Sequence, residues 1–242
     1  MTGPLVAAGG PPVIPNFGQP SACLKHNGWF CTDWIGKHWG DNLQPALVQH
    51  IQLTLIAVGI GFAIAFLLAL IGFRWRILDA PLGGLTDLLY AIPSLALFQL
   101  LVPLTGLTVT TVEIALTSYT LFILYRNIVA GLRAVPAEVL ESARGMGLTR
   151  LQTFFRVELP LAAPAILAGL RIATVATISI ATVAAFLIQD GLGNPIFDAI
   201  QTPDLFKTEL LAASGLAILL ALAADALLAL AQRALTPWNR LR

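Results

Sequence analysis

IQLTLIAVGIGFAIAFLLALIGF, residues 51–73, runs for 23 residues without a charge. A helix rises about 1.5 Å per residue, so about 20 apolar residues cross the ~30 Å hydrocarbon core of a bilayer. This stretch is long enough to span, and its composition leaves no polar face for water. It sets the frame for the whole chain: of 242 residues, 57% are apolar and 11% charged, against about 25% charged in an ordinary soluble domain. The fold class that follows is an all-α, polytopic helical bundle in a membrane.

Working outward from residues 51–73, four more apolar segments are expected at 85–104, 107–132, 163–188 and 210–231. The first of these carries Asp87 near its start and Pro93 inside, which predicts a kink where neighbours re-satisfy the freed carbonyl. In 107–132, Glu113 and Arg126 sit toward opposite ends, in reach of headgroups or of a bundle interior. The last segment is rich in small residues, with Ala213, Ala217 and Ala221 suited to close helix contacts. Within it Asp225 faces either the bundle interior or an interface near Arg233, and Arg171 in 163–188 can snorkel back to the headgroups. Aromatic side chains that a cationic solute could use, Tyr90, Phe98, Tyr119, Phe122 and Tyr125, are candidates by type, although membrane aromatics usually pack on their neighbours.

Basic residues gather in the short loops left on the cytoplasmic side. Here Arg74 and Arg76 follow the first span, Arg133, Arg144, Arg150 and Arg156 separate the third and fourth, and Arg233, Arg240 and Arg242 close the chain. These regions belong on one side, which places the amino terminus outside and the carboxyl terminus in the cytoplasm. An odd number of spans is what that arrangement requires. The organisation expected is an extracytoplasmic tail over 1–46, a membrane domain over 47–235 with a cytoplasmic loop at 134–160, and a cytoplasmic tail over 236–242.

The tail has no basic start and no continuous apolar core, so it does not read as a signal peptide, and the first span is expected to direct insertion. Trp29, Phe30, Trp34 and Trp39 fit a segment lying along the outer surface; an irregular tail fits them equally. Cys23 and Cys31 are the only cysteines, and an oxidising compartment can join them across a short loop or leave two free thiols. Together with His26 they lack a recognised metal-ligand spacing, and no metal is expected.

The polar stretch ESARGMGLTRLQTFFRVELP, residues 141–160, lies between two spans. Its grammar is helix, break, helix. Pro136 suits a first helical position, Glu138 and Glu141 put negative charge in early turns, and Gly145 and Gly147 supply a stop. Thr149 and Gln152 then have capping-box spacing for a second short helix, which is expected to run until Leu159 and Pro160 redirect the chain. The product is a protruding elbow exposing Ser142 and Ala143, suited to insertion in a groove of a cytoplasmic partner, or else an ordinary polar loop.

The residues of this stretch resemble the signature of the permease subunits of ATP-binding-cassette importers: a Glu-Ala-Ala triplet, Gly six residues after the Glu, then a hydrophobic residue, one spacer and Leu-Pro. The matching positions are Glu141, Ser142, Ala143, Gly147, Val157, Leu159 and Pro160, with Ser142 in place of the first Ala and Val157 in place of Ile. AIPSLALF at 91–98, LYRNIVAGL at 124–132 and GLRIATVATISIATVAAFLIQDGLG at 169–193 are similar to the osmoprotectant branch, which imports glycine betaine, choline or carnitine. The resemblance implies a type I importer permease, with residues 141–148, Leu148 included, as the coupling helix. It implies as partners two cytoplasmic ATPase subunits, a second permease subunit and an external substrate-binding protein. It also implies that no cofactor is bound by this chain and that ATP is used by the partners, in keeping with the lack of a GxxxxGK[ST] phosphate loop. The chain is thus expected to be no enzyme. The competing class is a stand-alone secondary transporter or channel, which would need buried carboxylates or His to couple to an ion gradient, and five spans without an internal repeat do not fit its usual architecture.

Overall fold

The computed structural model describes residues 26–238. Helix α1 (Thr32–His38) passes through a π-helical turn (Trp39–Leu43) into α2 (Gln44–Arg74), 31 residues long. An extended Trp75 separates α2 from α3 (Arg76–Ala91), and α4 (Ser94–Thr105) follows. Helix α5 (Val109–Arg133) leads to the short α6 (Ala137–Gly145) and α7 (Arg150–Thr153). A π turn (Phe154–Glu158) joins α7 to α8 (Leu159–Val183), and α9 (Gly193–Gln201) and α10 (Lys207–Leu235) complete the order.

Helix α2, helix α5, the continuous α7 to α8 run over Arg150–Phe186, and α10 are long and apolar enough to cross a membrane. The segment expected as a second span is not one rod: α3 and α4 meet at 99°. The cause lies in Ile92 and Pro93. A residue before proline is pushed out of the α region, and Ile92 is extended at φ −70°, ψ 128°. Its carbonyl is then taken up by the Tyr119 hydroxyl of α5, which supplies the partner that lipid cannot.

Helix α5 is the axis of the bundle. Its buried Leu124, Tyr125, Ile128 and Leu132 pack with Ala65 and Ala69 of α2 and with Ala162, Ile166 and Ala173 of α8. Small residues on the flanking helices bring the backbones close, the usual device where lipid offers no hydrophobic drive to associate. Gly169 of α8 shows how tight this is: a Cβ there would lie 2.8 Å from the Asn127 Cγ of α5. A second cluster, with Leu53, Phe98, Leu116 and Tyr119, fills the other end of the bundle.

Several charged side chains of the bundle are paired, whereas both carboxylate oxygens of Glu113 near the start of α5 are buried without a hydrogen-bond partner. Asp79 of α3 accepts from the Tyr125 hydroxyl at 2.8 Å and pairs with Arg133 at 3.0 Å. Asp87 pairs with Arg126. Arg171 of α8 and Asp225 of α10 form a two-pronged pair at 2.9 Å on each prong, and Arg171 also donates to Gln232 at 3.3 Å. Gln232 in turn donates to the Pro164 carbonyl at 3.0 Å, a second tie between α10 and the first turns of α8. Asp225 therefore points at a neighbouring helix and not at an interface near Arg233, and Arg171 is held laterally by that carboxylate in place of snorkelling.

At the opposite end, Leu192 N–H donates to His50 Nδ1 at 3.2 Å, which leaves Nε2 to donate to the Ile178 carbonyl at 3.0 Å. Fully buried His50 thereby locks α2, α8 and the loop before α9. Trp34 is buried against Phe206 with ring centroids 5.0 Å apart, whereas Trp29 and Phe30 are exposed. The aromatic segment is thus helical only from Thr32 onward and half docked, with Trp29 and Phe30 in the irregular stretch before it, where the Asn27 side chain donates to the Asp204 carbonyl at 2.7 Å and accepts from Lys207 N–H at 3.1 Å.

Candidate functional site

The elbow is built from local chemistry. Helix α5 closes with Ala134 N–H on the Ala130 carbonyl at 2.9 Å, and Pro136, extended at ψ 140°, caps α6 from outside its first turn. Glu138 lies in that first turn, where the helix dipole favours an acid, and Arg144 in the last, where it favours a base. Ser142 Oγ donates back to the Glu138 carbonyl at 2.8 Å.

The turn that ends α6 is a hydrogen-bonded reversal. Met146 N–H bonds to the Ser142 carbonyl at 3.0 Å, Gly147 N–H to Arg144 at 2.9 Å, and Leu148 N–H to Ala143 at 3.2 Å. Gly147 sits at φ +80°, a left-handed conformation in which any Cβ is strained. Thr149 then starts α7 with a complete capping box: Gln152 N–H donates to Thr149 Oγ1 at 3.3 Å and Thr149 N–H to Gln152 Oε1 at 2.9 Å.

Of the residues singled out, Glu141, Ser142 and Gly147 are exposed on the outer side of the elbow, and Leu148, Val157, Leu159 and Pro160 are half-buried beneath it. Ala143 was expected to be exposed but is buried, at 1% of its accessible surface, because α6 turns this face onto the π turn and α7. The exposed face is instead completed by Met146, at 73%. Leu159 and Pro160 do not redirect the chain. They occupy the first positions of α8, where a proline is compatible with the helix, and the preceding π turn absorbs the register change, so that α7 and α8 form one continuous run. The elbow is therefore rigid at both ends. Asp79 holds its entry through Arg133, and its exit passes without a break into α8, which Arg171 and Asp225 tie to α10.

Under the elbow lies a cavity of about 850 Å³ reaching the end of α2, lined by Phe73, Arg74, Arg144, Arg150, Phe154 and Glu158 among others. The aromatic candidates divide. Phe98 is core and Tyr125 is held by Asp79, while Tyr90 stacks on Phe122 at 4.5 Å and meets Tyr119 edge-on at 5.8 Å. Among the described residues no group of His, Cys, Asp or Glu could hold a metal ion. Cys31 is not a free thiol, and Cys23 lies outside the described residues.

The model of the family described as "binding-protein-dependent transport system inner membrane component" matches residues 57–240. The choline transport system permease protein OpuBB of Bacillus subtilis is 35% identical over 199 residues, which cover 82% of this chain and 90% of that protein. The glycine betaine/carnitine/choline transport system permease protein OpuCB of the same organism is 32% identical, over 78% of this chain and 86% of its own length. Among solved structures, the inward-facing MetNI methionine ABC transporter aligns with a TM-score of 0.72 at 18% identity, covering 83% of this chain and 98% of that one, a likeness of fold. The chain belongs to the family of binding-protein-dependent transport system inner membrane components.

Proposed function

We propose that this member of the family is the membrane-spanning permease subunit of an ATP-driven importer for a small osmoprotectant such as glycine betaine, choline or carnitine. The observation that carries the reading is the elbow: a short exposed helix, stopped by a left-handed glycine and fused through a π turn to a spanning helix. Its exposed Glu141, Ser142 and Met146 seat in a groove of a cytoplasmic ATPase, and Gly147 permits the reversal that lets α6 protrude. When the ATPases close on ATP, the elbow moves as a body, since a hydrogen-bonded turn and continuous helix do not absorb displacement. The motion passes along α8 and, through the Arg171–Asp225 pair, to α10.

This chain binds no cofactor in that scheme; ATP is used by the partner subunits. A second permease subunit completes the pathway, and an external binding protein delivers the solute. The amino terminus lies outside and the carboxyl terminus in the cytoplasm, as the distribution of arginines supports. For a quaternary ammonium solute, the faces of Tyr90, Tyr119 and Phe122 offer a weak cation site beside the Asp87–Arg126 pair.

The test is uptake of radiolabelled glycine betaine, choline and carnitine by proteoliposomes holding this chain with its ATPase and binding protein. Uptake that needs internal ATP and the binding protein is expected. Uptake that proceeds without ATP and follows an imposed proton or sodium gradient would refute the reading in favour of a stand-alone transporter.

A further inference from the structure

The cavity under the elbow is more than a space left by packing. Its lining carries three arginines, Arg74, Arg144 and Arg150, against one carboxylate, Glu158. Among the described residues none of the three arginines forms an ion pair, for the salt bridges join other side chains. They come from three separate elements, the last turn of α2, the last turn of α6 and the first of α7, so their convergence is a property of the tertiary fold. Between them lie Phe73 and Phe154, and Phe73 belongs to the final turn of the apolar helix α2. The cavity therefore lies at the end of a spanning helix and combines guanidinium groups with apolar rings in one lining.

Guanidinium groups match phosphate oxygens two at a time, and basic pockets between spanning helices on the cytoplasmic side suit acidic headgroups. We propose that this cavity binds the phosphate headgroup of an acidic phospholipid of the cytoplasmic leaflet, wedged between the end of α2 and the elbow. It rests on the cytoplasmic placement of the elbow given above. The volume, about 850 Å³, falls in the range of small-molecule sites, about 300–1,000 Å³, and accommodates a glycerophosphate group. A lipid seated there props the elbow against α2 and links its position to the surface charge of the membrane.

The experiment uses the purified full chain, delipidated and offered phosphatidylglycerol and phosphatidylcholine in equal amounts, with retained lipid counted by native mass spectrometry. Both lipids carry the phosphodiester that the guanidinium groups match, so the preference comes from net charge, the trimethylammonium of phosphatidylcholine being repelled by the three arginines. Wild type is expected to prefer phosphatidylglycerol about tenfold, as a basic residue is worth about 1 kcal/mol toward acidic lipid. Arg74→Gln brings the ratio near parity and Arg74→Lys keeps part of it. Equal retention of the two lipids by the wild type overturns the proposal. Inorganic phosphate is then added to the chain in phosphatidylcholine. If phosphate alone raises the melting temperature as phosphatidylglycerol does, the site takes free anions and the lipid assignment falls. Arg74 lies outside the elbow, so ATPase capture by Arg74→Gln is read in parallel. Loss of capture with an unchanged lipid ratio would make the cavity part of the ATPase contact and overturn the lipid site. A wild type that captures no ATPase yet keeps its lipid preference would sink the coupling reading alone.

Discussion

Two glycines two positions apart should respond oppositely to the same substitution. Gly147 is at φ +80°, and a Cβ built there meets nothing within 4 Å; Gly145 ends α6 within the helix, and a Cβ there also meets nothing. Contact is thus removed as a variable, and only backbone conformation is left. Gly147→Ala forces an L-residue into the left-handed region at about 1–2 kcal/mol, and loss of freedom in the unfolded chain offsets at most about 1 kcal/mol of that. Gly145→Ala gains helix propensity of up to about 1 kcal/mol. The elbow should open more often by up to about tenfold in the first variant and less often in the second, since 1.4 kcal/mol is about a factor of ten. Hydrogen exchange of the Met146, Gly147 and Leu148 amides, which close the turn on Ser142, Arg144 and Ala143, reads this directly. Gly147→Asn should fall between, because Asn tolerates the left-handed region. Equal protection in Gly147→Ala and Gly145→Ala would show that the turn is not what holds the elbow.

Gly169→Ala should lower thermal stability by about 1–3 kcal/mol, as overpacking does, because the new Cβ would lie 2.4 Å from the Asn127 Cβ, an atom that no side-chain rotation moves; in a melting experiment Asn127→Gly in the same chain, which removes that atom, should recover more of the loss than Asn127→Ala, which keeps it. Arg171→Met and Asp225→Leu should each reduce the yield of monodisperse protein, and the double variant should lose less than the two together, since neither charge is then left alone in the bundle; additive losses would mean that the pair in the structure contributes nothing. Cys31 is not a free thiol, so peptide mapping under non-reducing conditions is expected to find it joined to Cys23, and two free thiols would refute that pairing.

What could be read from the chain follows distance along it. The capping box at Thr149 and Gln152 was legible because both partners lie within one turn, and Gly147 because a helix stop needs no distant contact. Pro93 announced a departure from a straight span, but its size, 99°, depends on Tyr119 lying ready to take the Ile92 carbonyl. Arg171 and Asp225 are 54 residues apart, so the sequence lets each be weighed only by itself, which offers snorkelling for Arg171 and leaves Asp225 between the bundle interior and an interface near Arg233. Ala143 misled for a related reason. A small residue in a polar loop looks exposed until α7 folds beneath it. The arginine cavity left no sequence signal of its own, because Arg74, Arg144 and Arg150 read simply as positive charge on one side of the membrane.

The most direct measurement is purification of the full chain in mild detergent with its candidate ATPase, identified by mass spectrometry as a protein with a GxxxxGK[ST] loop, comparing wild type with a Glu141→Ala, Gly147→Ala double variant. The elbow account predicts stoichiometric ATPase on the wild type and its loss from an otherwise folded double variant. ATPase retained in full by the double variant would contradict the elbow as the point of coupling.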